Sequence, residues 1–173
     1  PTDGGSYAAA KMARIGADLH LLIFHRGGLS SFDPADGRER WKFPWRSTLH
    51  ESVNASTPVV VGDIVFCSAA YRTGSFALRV CGDRREVLWK DDLDSREKAL
   101  EAHWDTPVAI DGRLYGFSGR HESEAELRCV ELATGRVLWR WPSYLGRGSM
   151  VWSDGHAIAL GERGDLALLR LSP

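Results

Sequence analysis

Apolar residues along this chain alternate with polar ones at period two more often than at the helical 3.6. Short runs such as LHLLIF (19–24), IVFCS (64–68), RLYGF (113–117) and HAIAL (156–160) are bounded by turn-forming residues, the pattern of half-buried strands. Gly62-Asp63, Asp111-Gly112 and Asp154-Gly155 each sit between two such runs. Glycine and aspartate tolerate the positive φ of a two-residue turn, so each pair predicts a tight hairpin. A polar connection then leads to a third strand: FALRV (76–80), LRCVEL (127–132) or LALLRL (166–171). In the first three of the four units along the chain a turn and a fourth strand follow, the fourth carrying a tryptophan. Only DSREKALEA (94–102) reads as a helix, with Ser95 as its N-cap.

These elements repeat. TPVVVGDIVF begins at Thr57, TPVAIDGRLYGF at Thr106 and SMVWSDGHAIAL at Ser149, steps of 49 and 43 residues, while Trp41, Trp89 and Trp139 advance by 48 and 50. Two independent markers with a similar step define a repeat. Four antiparallel strands per unit of this length is the signature of a β-propeller blade. The blades run over residues 6–45, 55–92, 104–142 and 148–173, the last without a fourth strand. A blade buries both faces only against neighbours. The expectation is therefore an all-β propeller segment within a ring of about seven or eight blades, completed by further sequence or by another chain.

Composition narrows the partners. With 22 basic and 23 acidic residues the formal net charge is −1, which excludes the basic footprint of a nucleic-acid binder. No apolar run approaches the roughly 20 residues of a membrane-spanning helix. PTDGGSYAAAKMARIG at the start lacks the charged-then-apolar order of a signal peptide. Cys67, Cys81 and Cys129 are an odd set with no C-x-x-C spacing; buried free thiols are expected, and their disulfide state stays open.

The turns before the fourth strands carry a more specific signal. SFDPADGRERW presents Asp33, Gly37 and Trp41, and CVELATGRVLW presents Glu131, Gly135 and Trp139. Both resemble the tryptophan-docking motif of the pyrroloquinoline-quinone-like propeller repeats, the quinoprotein-like and BamB-like family. In blade two Trp89 is kept, but Arg85 stands for the glycine and Cys81 for the acid, so a different turn is expected there. The resemblance implies that these tryptophans pack between blades. It also implies an envelope, periplasmic or secreted location.

The family has a catalytic branch, the quinoprotein alcohol and sugar dehydrogenases, and a non-catalytic scaffold branch. The first implies a quinone stacked between a tryptophan and a vicinal disulfide, with calcium on nearby acidic and amide groups. Here the cysteines are 14 and 48 residues apart, and Glu51 with Asn54 is the nearest carboxylate–amide pair. Quinone and calcium therefore enter only under the alternative of a dehydrogenase whose active site lies elsewhere. The expectation for this segment is no catalytic residue, no metal and no cofactor. His20 and His25 fall on opposite faces of one strand, and neither a zinc ligand set nor a nucleophile elbow occurs.

What remains is a face. In a propeller the connections between blades and between second and third strands gather at one end. Aligning the blades on their threonines puts Asn54, His103, Trp104, Asp105 and Arg147 into neighbouring registers there. The second-to-third-strand loops add Tyr71, Arg72, Arg120 and His121. Large polar and aromatic side chains on loops held by a rigid frame predict a surface that binds a protein or a small ligand.

Overall fold

The computed structural model describes residues 4–50 and 52–172, and every sheet in it is an antiparallel meander. Blade one comprises β1 (Lys11–Ile15), β2 (Asp18–His25), β3 (Gly28–Phe32) and β4 (Glu39–Pro44). Blade two comprises β5 (Val59–Val61), β6 (Ile64–Ala69), β7 (Gly74–Cys81) and β8 (Arg84–Lys90). Blade three comprises β9 (Val108–Ile110), β10 (Arg113–Ser118), β11 (Glu126–Glu131) and β12 (Val137–Pro142). Blade four has three strands, β13 (Gly148–Ser153), β14 (His156–Gly161) and β15 (Leu166–Leu169). The architecture is a four-blade β-propeller, and the predicted hairpins fall where expected. Asp111 and Asp154 each take φ of 48° in their turns.

The helix expected over 94–102 does not form; the segment is a chain of bends. Its backbone groups are claimed by the neighbouring blades. Ala99 N–H donates to Asp91 Oδ1 at 2.9 Å, and Leu100 C=O accepts from Ser75 Oγ at 2.7 Å and Ser68 Oγ at 3.0 Å. Arg128 reaches Lys98 C=O at 2.8 Å. Groups held from outside cannot close i to i−4 bonds, so tertiary capture overrides a modest helix propensity. The only helical turn among the described residues is Glu122–Glu124.

Three apolar clusters fill the spaces between blades. Phe24, Phe43, Trp45 and Phe76 anchor the first, between blades one and two. Phe66, Leu100, Leu114 and Val130 form the second. Tyr115, Phe117, Cys129 and Ala157 form the third. In each complete blade the ladder slips by one residue just before its tryptophan, leaving Arg40, Leu88 and Leu138 as the extra residues. Such a bulge sharpens strand twist and re-aims the next side chain. Here that side chain is Trp41, Trp89 or Trp139.

The docking residues behave unequally. Gly37 and Gly135 share a φ of 75°, and the backbone carbonyls of Asp33 and Glu131 close the same turn by accepting the N–H of Gly37 at 2.8 Å and of Gly135 at 2.9 Å. Trp89 lies on Gly135 of the next blade: a Cβ built there would meet its Cε3 at 2.5 Å. Its Nε1–H donates to Leu132 C=O at 2.8 Å. Trp139 donates to Ser172 C=O at 3.0 Å. Trp41 finds no glycine, because blade two turns at Gly82-Asp83, between β7 and β8. It faces Arg85 at 5.9 Å instead, and its buried Nε1–H has no partner among the described residues.

Candidate functional site

Each meander puts its β2–β3-type loop and its exit to the next blade at the same end. In sequence these are the connection after β4, the β6–β7 loop, the connection after β8, the β10–β11 loop and the connection after β12. They gather five of the nine predicted face residues into one run of contacts. The Arg120 guanidinium lies over the Tyr71 ring at 4.4 Å. Tyr71 meets His103 edge-on at 5.4 Å, and His103 lies against Trp104 at 4.7 Å. Arg147 closes the run, its guanidinium 4.0 Å from the Trp104 ring.

Arg147 holds this run in place. Its Nη1 donates to Arg120 C=O at 2.7 Å and to His103 Nδ1 at 3.1 Å, while its Nε donates to both oxygens of Glu162 at 3.0 and 3.1 Å. Because Arg147 fills Nδ1 as a donor, the imidazole proton sits on Nε2, 3.3 Å from Tyr71 Oη. Burial, and then the Arg147 charge, lower the His103 pKa from its ordinary value, so the ring is neutral. Hydrogen bonding from Arg147 holds Glu162 below the usual carboxylate range. Trp104 keeps 45% of its surface exposed above this frame. A rigid aromatic with one face free loses little entropy when it is covered, and Trp, Tyr and Arg dominate interface hot spots.

Arg72 and His121 lie beside the run rather than in it. They border a cleft of about 520 Å³ together with Tyr71, Arg96 and Arg120. Tyr71 and Arg72 both take left-handed backbone conformations, φ 63° and 60°, at a cost on the order of 1–2 kcal/mol per residue. Two contacts from neighbouring connections impose that shape: Ser47 Oγ donates to Tyr71 C=O at 2.8 Å, and Arg72 N–H donates to Glu101 Oε1 at 2.9 Å.

Two predicted face residues are internal instead. Asn54 is 4% exposed and its Nδ2 donates to His25 C=O at 2.8 Å, so it ties the start of blade two to blade one. Asp105 is 5% exposed and accepts from Phe117 N–H at 3.2 Å. Burial raises its pKa to about 7. Both sit where the chain turns into the first strand of a blade, and their short side chains satisfy the backbone there. Glu51, the other half of the carboxylate–amide pair, lies outside the described residues.

Sequence reasoning missed Arg46, Arg96, Glu101 and Glu162. The signal was available: all four occupy connections at the same end as the named loops. The threonine alignment, however, covered only the positions just before each blade.

The family described as "Outer membrane protein assembly factor BamB" matches residues 5–141. The chain belongs to this family of quinone-type propeller repeats. No curated protein sequence matches it. Among solved structures, the computationally designed Ika4 protein aligns over 97% of this chain and 94% of its own, at 12% identity and a TM-score of 0.63. The computationally designed Ika8 protein aligns over 94% of this chain and 46% of its own, at 11% identity and a TM-score of 0.61. A quinohemoprotein alcohol dehydrogenase, ADHIIG from Pseudomonas putida HK5, aligns over 80% of this chain at 16% identity and a TM-score of 0.56. The chain spans about a fifth of that enzyme, 21%. At such identities these likenesses show the fold alone.

The residues of this BamB-family chain do not fit the quinone stack of the catalytic branch. Cys67 and Cys129 are buried in two different apolar clusters, Cys81 is exposed, and all three are free thiols. Trp41, Trp89 and Trp139 are each engaged with protein. Among the described residues no three His, Cys, Asp or Glu side chains gather as a metal site. No helix among them is long and apolar enough to cross a membrane.

Proposed function

We propose that this chain is a non-catalytic binding scaffold of the cell envelope, working on the periplasmic side. On this reading it engages a protein partner through the loop end, with Trp104 as the central contact. One observation carries it: Trp104 is half exposed while Arg147, His103, Tyr71 and Arg120 brace it from beneath. The docking tryptophans Trp41, Trp89 and Trp139 are turned between blades, whereas Trp104, as exposed as Trp141, lies against both the His103 ring and the Arg147 guanidinium. Membership of a family named for outer-membrane protein assembly supports the protein partner and the envelope location.

The test is a photo-crosslinking residue placed at position 104 in the native host, with position 36 as control. Asp36 lies in the β3–β4 turn, at the opposite end of the blade. A discrete adduct from 104 and none from 36 is expected. Replacing His103, Trp104 and Arg120 together should abolish partner capture while shifting the thermal midpoint by no more than about 3 °C. Equal adducts from both ends would reject the assignment.

A further inference from the structure

The loop end carries a second feature beside the Trp104 run. The cleft bordered by Arg72 and Arg96 continues into a smaller one of about 210 Å³, which adds Arg46 and Leu93 and shares those two arginines. Arg46, Arg72 and Arg96 come from three consecutive connections: after β4, between β6 and β7, and after β8. Several of the other arginines are ion-paired. Arg38, Arg40, Arg79, Arg128, Arg140 and Arg147 all lie within 4 Å of a carboxylate. The guanidinium groups of Arg46, Arg72 and Arg96 have no such pair among the described residues.

The cleft is not free of acids, but its acids leave these three arginines unpaired. Glu101 turns inward to accept the Arg72 N–H, and burial raises its pKa. Asp94 and Glu124 border the cleft without an ion pair to it.

We propose that this cleft binds an acidic peptide segment, its carboxylates paired with Arg46, Arg72 and Arg96 and its apolar side chains laid on Leu49 and Leu93. The inference rests on the scaffold reading and names the chemistry of the partner. A peptide suits the groove better than a compact phosphate. The arginines are spread along two joined hollows instead of converging with backbone amides, as a phosphate nest does. The Arg72 amide that such a nest needs is already bound to Glu101. Leu49 and Leu93, one lining each hollow, offer apolar contact that an inorganic anion cannot use.

The probe is a fluorescein-labelled peptide of about twelve residues built from Glu, Asp and Leu, titrated by anisotropy. A Lys/Leu counterpart and unlabelled inorganic pyrophosphate serve as comparisons. Saturable binding of the acidic peptide is expected, weakened about tenfold or more by the Arg46→Glu/Arg96→Glu pair and by added salt. Arg46→Lys/Arg96→Lys should retain most of it. Equal binding of the basic peptide, unchanged binding in the Glu variant, or displacement by equimolar pyrophosphate would overturn the proposal. Crosslinking from position 104 separates the two readings. If it persists at full strength in the Glu variant, the acidic-segment assignment fails and the scaffold stands. If it is absent in the wild type, the scaffold reading fails, and the peptide titration decides the cleft by itself.

Discussion

Blades one and two meet differently from blades two and three, although both junctions carry the same tryptophan at the same bulge. At the second junction Trp89 lies flat on Gly135 and donates to Leu132 C=O. At the first, Trp41 has, among the described residues, no glycine beneath it and no acceptor for its N–H. Two other devices take over there. Phe76 packs against Phe43 at 4.7 Å and Trp45 at 5.3 Å. At the turn end, Asp83 of blade two accepts from Arg40 at 2.8 Å and Arg38 at 3.2 Å of blade one. A repeat motif therefore marks where blades touch without fixing what holds them.

The contrast can be broken in order of expected effect. Phe76→Ala should cost about 3–5 kcal/mol by urea unfolding, since Phe76 is fully buried at the centre of the first junction. Next comes the glycine pair. Gly135→Ala meets both the positive φ and the Trp89 ring, and should cost about 2–4 kcal/mol. Gly37→Ala has the same φ but nothing within 4 Å of the new methyl, so about 1 kcal/mol is expected. Equal losses would mean that Trp89 does not rest on that turn.

A smaller and less intuitive difference separates the tryptophans themselves. Trp41 is the more buried, yet Trp41→Phe removes an N–H that has no partner among the described residues. Trp89→Phe leaves Leu132 C=O without its donor. The Trp89 variant should be the worse by about 1–2 kcal/mol.

Carboxylates near the two junctions should respond to pH with opposite sign. Arg40 holds Asp83 below the ordinary carboxylate range, so its contribution is present above pH 3.8 and is lost as acid protonates it. Burial lifts Asp105 from 3.8 to about 7. The folded chain therefore binds a proton more tightly there, and stability falls as pH rises across that interval. Asp105→Asn should flatten the decline between pH 5 and 7 in chemical denaturation, whereas Asp83→Asn should blunt the loss below about pH 4. Last, Arg85→Ala should lower stability by less than about 1 kcal/mol, the value of a single cation–π contact at the edge of its range.

Much of the fold was legible because its signals are local. Asp111-Gly112 and Asp154-Gly155 need positive φ wherever they occur, and the two-residue alternation of HAIAL reads as a strand without reference to a neighbour. The site was legible only in part. Tyr71, His103, Trp104, Arg120 and Arg147 were drawn together by repeat register alone. Asn54 and Asp105 shared that register but point inward, because a short carboxyl or amide at a blade entrance bonds backbone before it meets solvent. DSREKALEA shows the limit from the other side. Its residues favour a helix, but its carbonyls and amides were taken by Ser68, Ser75, Asp91 and Arg128, from residues up to 34 positions away.

The pair of tryptophans closing LRCVELATGRVLWRW (127–141) divides along the same line. Sequence alone placed Trp139 in register with its copies at 41 and 89, and the resemblance of its turn to the family's docking motif implied that it packs between blades. Its neighbour Trp141 occupies the place of Phe43, two residues past the docking position. Phe43 is buried against Phe76, whereas Trp141 remains 48% exposed beside Tyr144. A strand's own residues decide which side chains share a face. Whether that face is covered depends on what the next blade brings to it, and only the tertiary structure holds that information.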